Sequence, residues 1–422
     1  MPLVPHKSYP LYWEKMAMLG VQVTEAPTHV PNDLVRDYPI KMGGTIDENP
    51  FDRIIPDIHR TMPPIFYSLD AYPGGTPAWI VRRVEDLQTI YYDTDSFSNK
   101  DFAPFALLVG ETWSSLPAET DPPMHALYRK FVNPIFTPKK NNVLDEKIRQ
   151  YAREYCAAIK AKGSCEFMAD FAFEFPIKVF LELMGLPLEM TAEFLEWEMG
   201  LLHTNDLGVI AASTRKVVDY LRGEIADRKA NPRDDLISYG VTAEIDGRAL
   251  TDDELVGFTF NLFIGGMDTV STNIAWQFRH LAEHSDHQNT LRNNLSMIPD
   301  AIEELMRAYP AVTTFRTCAK PVTVGGVTFQ PGDKIAMPTS LAGRDPEAYD
   351  NADQVIFDRK SRYMSFGYGP HLCVGMHLAR REMRIALEEF LATIPEFRIA
   401  DDAVVQTHTG GILQPVTLPL VW

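Results

Sequence analysis

The sequence predicts a mainly α protein with small β-sheets. Over most of the chain after residue 120, apolar residues recur at spacings of three and four, which is typical of amphipathic helices. Between 320 and 337 the pattern changes to alternation around a Gly-Gly pair, which predicts a β-hairpin. With 422 residues, of which 45% are hydrophobic, the chain is long enough to bury a large core.

The elements follow in order along the chain. Residues 1–120 are rich in proline and aromatic residues, and segment 78–81 (Ala-Trp-Ile-Val) has the composition of a strand. The apolar spacing predicts helices over 140–161, 170–184, 187–202 and 213–229. Gly-Leu-Pro and Ala-Asn-Pro segments interrupt the spacing and mark where helices end. Residues 255–278 are long and largely apolar, but they contain Asp268, whose charge is costly in lipid. We therefore expect a central helix that is buried on all sides.

The charge balance limits the possible partners. The chain has 40 Lys and Arg against 57 Asp and Glu, and the net charge of -17 argues against binding to nucleic acid or to an anionic membrane. The four cysteines are widely spaced, so neither a disulfide framework nor a four-thiolate zinc site is indicated. The first 20 residues lack the unbroken apolar run of a signal peptide or anchor. We expect a cytoplasmic protein.

The segment 366–375 (Phe-Gly-Tyr-Gly-Pro-His-Leu-Cys-Val-Gly) leads directly into a helical pattern. Its glycines and proline predict a tight, irregular loop, and Cys373 lies where the helix should begin. A thiol at that position meets unpaired N–H groups and the positive end of the helix dipole, which favour the thiolate. Although a single cysteine is most often a small buried apolar residue, this setting favours a soft metal ligand or a nucleophile.

The pattern F-G-x-G-x-H-x-C-x-G of this segment resembles the haem-binding loop of the cytochrome P450 family in its soluble bacterial form. The resemblance covers nearly the whole chain, is closest to the camphor hydroxylase group, and implies the P450 fold, with haem b between the long central helix and the cysteine loop. It implies that Cys373 is the axial thiolate on the iron and that Phe366 packs near the sulfur. Gly367, Gly369 and Gly375 would let the backbone approach the ring. A thiolate ligand favours O–O cleavage, so the ligand indicates the reaction type.

A second motif, Gly-Gly-Met-Asp-Thr at 265–269, lies inside the long apolar helix. Two adjacent glycines in a helix cost about 1 kcal/mol each, and from the residues alone they could serve close helix packing. The motif resembles the place where the P450 helix opens beside the iron. The resemblance implies that Gly265 lies against the cofactor, that Thr269 hydrogen-bonds the activated oxygen and that Asp268 gates proton delivery.

A third motif is Glu304-Leu305-Met306-Arg307. Glu and Arg three residues apart share a helix face, and such a pair is most often a solvated surface pair. It resembles the E-x-x-R motif of the family, which implies a structural brace behind the haem.

The resemblance also supplies groups for the haem propionates. His125 and Arg129 are four residues apart on a predicted helix that starts at prolines, and they resemble an H-x-x-x-R pair. Arg316 and His371 match the other propionate donors. Because motifs from His125 to Cys373 must converge on one ring, we expect a single domain over residues 1–422.

The substrate is expected to be small, hydrophobic and oxygenated, such as a terpenoid. Trp113 stands where camphor hydroxylases have a tyrosine that bonds the substrate ketone, and it offers an N–H donor. Asn261 lies one helical turn before Gly265, where the camphor enzymes have an apolar residue. A polar contact to substrate and a helix-to-helix hydrogen bond are both open for Asn261. The expected apolar walls are Ile264, Val312 and Ile412.

The leading hypothesis is a haem-thiolate monooxygenase that uses O2 and two electrons from a [2Fe-2S] ferredoxin, which is reduced by an NAD(P)H-dependent reductase. The ferredoxin should dock behind the cysteine loop, on basic residues that give an acidic chain a local positive face. The expected docking residues are Arg129, Lys130, Lys139, Lys140, Arg380 and Arg381.

Two other hypotheses remain open at this stage. One is a non-haem enzyme in which Cys373 is a nucleophile or binds zinc beside His371 and His377. The other is a haem-binding sensor without turnover, against which the Asp-Thr pair argues because a sensor needs no proton path.

Overall fold

A computed structural model describes residues 25–72, 75–100, 102–103, 105–204, 206–360 and 362–422. Helices form most of the molecule, as the apolar periodicity predicts. They are α1 (Ile54–Thr61), α2 (Val84–Tyr92), α3 (Phe105–Leu108), α4 (Met124–Val132), α5 (Pro138–Asn141), α6 (Asp145–Lys160), α7 (Glu174–Met184), α8 (Thr191–Leu202), α9 (Leu207–Ala230), α10 (Leu236–Thr242), α11 (Asp252–Gly266), α12 (Asp268–Glu283), α13 (Ser285–Asn293), α14 (Ile298–Ala308), α15 (Thr339–Gly343) and α16 (Met376–Thr393).

The strands are short and form small sheets. They are β1 (Gly44–Ile46), β2 (Ile65–Tyr72), β3 (Thr76–Val81), β4 (Phe97–Ser98), β5 (Ser164–Glu166), β6 (Glu244–Ile245), β7 (Arg248–Ala249), β8 (Thr313–Cys318), β9 (Val322–Val324), β10 (Val327–Phe329), β11 (Lys334–Pro338), β12 (Arg398–Ile399), β13 (Thr407–Thr409), β14 (Gln414–Pro415) and β15 (Pro419–Val421).

The largest sheet has the strand order β2-β3-β11-β8-β4. Strand β11 pairs parallel to β3 and antiparallel to β8, so residues that follow the central helices lie beside the first part of the chain. Two three-stranded sheets have the orders β1-β13-β14 and β12-β15-β5. The predicted hairpin is confirmed as β9-β10, where Gly325 and Gly326 adopt positive φ angles of 56° and 81°, as a tight two-residue turn requires.

The predicted helices are confirmed with shifted ends. The helix expected over 213–229 begins earlier, at Leu207, because the Asp206 side chain caps its first turn by accepting from the N–H groups of Gly208 and Val209. The helix expected over 140–161 begins at Asp145, and short helical turns precede it. Within the described residues, no helix combines the length and apolar composition that crossing a membrane requires.

The central apolar segment is two helices in line, α11 and α12, with an interruption at Met267. Helix α11 begins with a capping box in which the Thr251 hydroxyl and the Glu254 carboxylate each accept from the other's backbone N–H. Both helices are buried on nearly all sides, and α12 packs against α16 and α14. The expectation of a buried central helix is therefore correct, except that the helix is interrupted inside the Gly-Gly-Met-Asp-Thr motif.

Candidate active site

A cavity of about 400 Å³ lies between the junction of α11 with α12 and the loop that precedes α16. Gly265, Gly266 and Thr269 line it on the helical side. Cys373 and Gly375 line it on the loop side. The first two motifs singled out in the sequence, 108 positions apart from Gly265 to Cys373, therefore face each other across one space.

The cysteine loop takes its shape from glycines. Gly367 and Gly369 have φ angles of 72° and 68°, in the left-handed region that side chains rarely adopt. A Cβ on Gly369 would lie 3.0 Å from the carbonyl oxygen of Tyr91, so only glycine lets the loop approach α2 this closely. The N–H of Cys373 donates to the carbonyl of Phe366 (2.9 Å) and closes the loop, which leaves the thiol facing the cavity.

The thiol of Cys373 is affected by opposing influences. Burial raises its pKa, whereas the N–H groups of Gly375 and Met376 and the positive charges of Arg129 and Arg380 act to lower it. The N–H groups at the start of α16 thus act in the expected direction, but desolvation outweighs them and the net direction is upward. A metal cation at the sulfur supplies the charge that makes a thiolate stable in such a place.

Behind the loop, Arg380 lies over the ring of Phe366 at 4.6 Å. The same guanidinium donates to both carboxylate oxygens of Glu303 (2.6 and 3.0 Å), and Tyr363 donates to Glu303 as well. Arg380 is thus an element of an ordered network that supports the cysteine loop. Its positive charge is compensated locally, which reduces its value as a docking residue.

The other expected docking residues are of two kinds: some are paired or partly buried, and others are exposed. Arg381 pairs with Asp145, and Arg129 is half-buried with its guanidinium in the cavity and donating to the carbonyl of Leu372. Arg129 therefore does not lie on a docking surface, contrary to expectation. Lys130 and Lys139 are exposed, and the side chain of Lys140 is outside the described part of the structure.

Four basic groups converge on one end of the cavity: His125, Arg129, Arg316 and His371 all line it. The two histidine rings stack with centroids 3.8 Å apart, and the Nε2 atom of each is buried without a partner. Burial lowers the pKa of His125 to about 4, that of His371 to about 2 and that of Arg316 to about 10. Among the described residues no carboxylate pairs with either arginine, so this end of the cavity is built to receive an anion from a bound group.

The helical side of the cavity is irregular. The hydroxyl of Thr269 donates to the carbonyl of Gly265 (2.9 Å), one turn back, and Asn273 donates to the carbonyl of Thr269 (2.6 Å). A Cβ on Gly265 would meet no atom within 4 Å, whereas one on Gly266 would lie 3.0 Å from the ring of Phe180. The two glycines therefore differ: Gly265 faces open space in the cavity, and Gly266 allows close packing of α7.

Asp268 faces away from the cavity and is fully buried. Its Oδ1 atom accepts from the amide of Gln414 (2.5 Å) and lies 3.1 Å from Nε2 of His203. Asp268 is therefore not among the residues that line the cavity. The carboxylate is instead held in a polar cluster behind the helix junction, so it reaches the cavity only if its side chain turns.

Two of the expected substrate contacts line the cavity, namely Asn261 and Val312. Ile412 is paired through its backbone with Val312 and, like Ile264, is absent from the lining. Trp113 is also outside the lining: its N–H donates to Glu111 (2.7 Å) and its ring packs on Phe260 with centroids 4.6 Å apart. Contrary to expectation, that N–H is not free to bind substrate, because the Glu111 carboxylate accepts its hydrogen bond.

The E-x-x-R pair is buried, so the prediction that it is more than a surface pair is confirmed. Glu304 and Arg307 form two hydrogen bonds of 2.8 and 2.9 Å, and each side chain is 1% exposed. Arg307 also donates to the carbonyls of Gly343, Ala352 and Gln354.

Two further buried residues, Glu198 and His203, were not expected at the site from the sequence. A signal was present: on α8 the buried face reads Phe194, Glu198, Leu201, so an acid interrupts an apolar stripe at helical spacing.

Comparisons with known proteins agree with this geometry. Residues 179–398 match the sequence profile of the family described as Cytochrome P450. The chain is 35% identical over 408 residues to a probable cytochrome P450 127A1 of Sinorhizobium fredii, covering 95% of this chain and 98% of that one. It is 34% identical to the erythromycin C-12 hydroxylase of Saccharopolyspora erythraea, covering 77% of this chain and 84% of that one. The crystal structure of cytochrome P450 CYP101C1 superimposes with a TM-score of 0.84 at 30% identity, covering 94% of this chain and 100% of that one.

The cavity lies between a thiol and a helix junction and has four basic groups at one end, so it suits an anionic cofactor. The orphaned histidine nitrogens, the unpaired arginines and the cavity-facing thiol fit the propionates and the iron of haem. The chain belongs to the cytochrome P450 family and is a monooxygenase of that family, whose cofactor is haem b with a cysteine thiolate as axial ligand. The zinc alternative finds no support, because no group of three His, Cys, Asp or Glu in the described residues could hold a metal ion.

Proposed function

We propose that this monooxygenase inserts one oxygen atom of O2 into a C–H bond of a small, hydrophobic, oxygenated substrate of the terpenoid class, in the cytoplasm, with electrons from a [2Fe-2S] ferredoxin and its NAD(P)H-dependent reductase. The observation that carries the substrate class is the cavity wall. Phe180, Leu183 and Val312 make it apolar, and Asn261 adds an amide that has no hydrogen-bond partner among the described residues. A largely apolar wall with one free polar group suits a hydrocarbon skeleton bearing one oxygen function.

Haem b, when bound, supplies the redox chemistry that reduces O2 and transfers one oxygen atom. In the proposal Cys373 would be the iron ligand, and His125, Arg129, Arg316 and His371 would hold the propionates. The Nε2 atoms of both histidines have no partner, and neither arginine pairs with a carboxylate among the described residues. These four groups would orient the cofactor, and Gly265 carries no side chain that would obstruct the space beside it.

Thr269 and Asp268, at the junction of α11 with α12, position and supply protons. Thr269 presents a hydroxyl at the cavity wall, and it can exchange its present bond to the Gly265 carbonyl for a bond to a cavity group. Asp268, the adjacent buried acid, supplies protons to that hydroxyl when its side chain turns from the polar cluster towards the cavity.

A titration tests the substrate class. Pairs of cyclic terpenoids, each a hydrocarbon and its ketone, are added to the ferric protein while the low-spin to high-spin absorbance change is followed. We expect the ketone to bind about tenfold more tightly than the hydrocarbon, as one hydrogen bond allows, and Asn261→Leu to abolish that preference. If no terpenoid shifts the spectrum and a macrolide or steroid does, the proposed class is wrong.

A charge reversal at Lys130 tests where the proposed ferredoxin docks. Lys130 is exposed on α4, the helix that also carries His125 and Arg129. Lys130→Glu should slow reduction by an acidic [2Fe-2S] ferredoxin about tenfold at low salt, and the difference should shrink as salt screens the charges. Lys216→Glu on α9, where the lysine is exposed and paired with Glu196, is the control. Equal rates for the two variants would contradict the docking assignment.

A further inference from the structure

A closed polar cluster lies behind the junction of α11 with α12, on the side opposite the cavity. We call it the distal acid cluster and define it by Glu198 and His203 at the end of α8, Asp268 at the start of α12, His408 on β13 and Gln414 on β14. Glu198, Asp268 and Gln414 are each no more than 2% exposed. Three parts of the chain thus bring two carboxyl groups and two imidazoles together inside the protein.

Asp268 is the member with the most contacts. Its Oδ1 atom accepts from Gln414 and lies 3.1 Å from the imidazole of His203. Gln414 also donates to the hydroxyl of Thr272 (2.6 Å), which fixes the amide. Burial lowers the pKa of His203, but the charge of Asp268 and the hydrogen-bonding contact with its carboxylate together outweigh burial and raise that pKa. The 3.1 Å separation lets the two side chains form an internal ion pair when His203 is protonated.

Glu198 is the unexplained member. It is 1% exposed, and neither of its carboxylate oxygens has a hydrogen-bond partner in the described part of the chain. The Oδ2 atom of Asp268 is likewise buried without a partner. Burial first, and the negative charge of Asp268 second, raise the pKa of Glu198. The backbone N–H of Asp268 opposes this shift without reversing it. Because an ionised carboxylate in such a poorly hydrogen-bonded, buried place is costly, the neutral acid is the stable form.

A residue that only filled space at this position would be apolar. Phe194 and Leu201, on the same buried face of α8, are apolar, and a leucine in place of Glu198 would continue the stripe. An unpaired buried acid destabilises the fold relative to leucine, and a function for its proton would explain why it is there.

We propose that Glu198 is a positioning residue that stores a proton and passes it to Asp268. This inference rests on the proposed function, in which Asp268 supplies protons to the Thr269 side of the cavity. A monooxygenase turnover consumes O2, two electrons and two protons, and releases water together with the hydroxylated product. The O–H bond of Glu198 breaks and a new O–H bond forms on the Asp268 carboxylate. That second bond breaks in turn when the proton goes to the cavity, which leaves both carboxylates ionised.

The cluster also provides a path by which Glu198 can regain its proton. In this proposal Glu198 is left as a carboxylate and regains a proton from solvent by way of His408, His203 and the Asp268 carboxylate, which lies 3.1 Å from His203. Those two rings have centroids 5.1 Å apart, and His408 is only partly buried. Burial, the charge of His203 and the opposing charge of Asp268 leave the pKa of His408 at about 4, so it is neutral at rest and carries a proton only in passing.

Infrared difference spectroscopy tests the stored proton directly. At pH 7 the protein should show the C=O stretch of a protonated carboxyl group that shifts in D2O. We expect Glu198→Gln to lose one such band and Glu196→Gln, an exposed glutamate two residues away on α8, to keep it. Because Glu382 is also buried with a raised pKa, Glu382→Gln serves to separate its band from that of Glu198. A spectrum of Glu198→Gln identical to that of the wild type would overturn the proposal.

A kinetic measurement tests the transfer. Oxygen consumption by the haem-loaded enzyme is driven by a plant-type [2Fe-2S] ferredoxin and its NADPH-dependent reductase in H2O and D2O. Glu198→Gln should lower the rate about tenfold and raise the solvent isotope effect about twofold, because proton transfer becomes limiting. Glu198→Asp, which keeps the acid, should restore part of the rate; it also serves if the glutamine variant does not fold. Wild-type rates and isotope effects in both variants would refute the transfer.

The proposed role of Thr269 in oxygen activation and the proposed proton storage by Glu198 can be refuted independently. If Thr269→Ala leaves product formation unchanged, the assigned oxygen-activation role is lost while the infrared band of Glu198 remains. If the band is absent and Thr269→Ala still uncouples the enzyme, only the storage role is lost.

Discussion

At the scale of the residue, the environment decides what a cysteine can do. Cys156 is buried in the apolar core, where burial raises the pKa of its thiol and nearby acids raise it further. The pKa of Cys373 is also raised by burial, but two backbone N–H groups and two arginines oppose that shift. These groups stabilise a thiolate once a metal binds. Only Cys373 combines them with a cavity, so only it is suited to hold iron.

Thr269→Ala removes the hydroxyl that lines the cavity. Since a positioned proton donor contributes about a hundredfold or more to a proton-dependent step, we expect product formed per NAD(P)H consumed to fall about tenfold and peroxide release to rise. Parallel assays of product and peroxide measure both. Thr269→Ser keeps the hydroxyl and is the matched control. Unchanged coupling in the alanine variant would remove Thr269 from the mechanism.

At the scale of the element, a single carboxylate joins a loop to a long helix. Glu111, in the segment after α3, accepts from Arg215 (2.5 Å) and Arg222 (2.8 and 2.9 Å) of α9 and from the indole of Trp113. Burial alone would raise its pKa, but the hydrogen bonds from these three residues outweigh burial and lower it. The loop beside the cavity is thereby tied to α9 by a carboxylate that stays ionised.

Glu111→Gln should release this tie. Replacing the carboxylate leaves the two guanidinium groups without an anion, and we expect a loss of about 1.5–3 kcal/mol of local stability. Limited proteolysis should then cut within residues 105–117 faster than in the wild type. Glu196→Gln on α8, which breaks a pair with Lys216 in which both side chains are more than half exposed, should leave the cleavage rate unchanged. Equal cleavage of the two variants would show that the Glu111 contacts do not restrain the loop.

At the scale of the whole molecule, the Glu304–Arg307 pair connects α14 to the segment that leads towards the cysteine loop. Glu304 accepts from Arg359 (3.0 Å) and from the N–H of Ile356 (2.9 Å), beyond its bonds to Arg307. Ser365, at the start of that loop, donates to the carbonyl of Met306. The buried charges therefore hold the backbone that carries Cys373 in position relative to the helices.

Glu304→Gln should destabilise the fold by about 3–5 kcal/mol, because it leaves Arg307 charged and buried without its counter-ion. Thermal unfolding and haem retention measure the effect. Asp300→Asn, on the same helix, removes an exposed pair with Lys360 and should cost no more than about 1 kcal/mol. Similar losses in the two variants would mean that the buried pair is no more important than a surface one.

Much of the site could be predicted because its motifs are local. The cysteine loop, the Gly-Gly-Met-Asp-Thr segment and the hairpin at 322–329 each depend on residues adjacent in sequence, since glycine conformations and helix spacing are local properties. Trp113 and Ile264 could not be placed in this way. Their directions depend on Glu111, Arg215 and the packing of α11, which are tertiary contacts.

The sequence by itself determined the class of the protein: a helical fold, a thiol in a glycine loop and an acid-threonine pair, each encoded in a short run of residues. The tertiary structure alone decided which charges meet. It turned Asp268 away from the cavity, placed Glu198 and His203 beside it and brought Arg129 and Arg316 together without an acid. The physical reason is that burial and charge pairing depend on neighbours far apart in the chain, and these set protonation, whereas backbone conformation is set mostly by near ones.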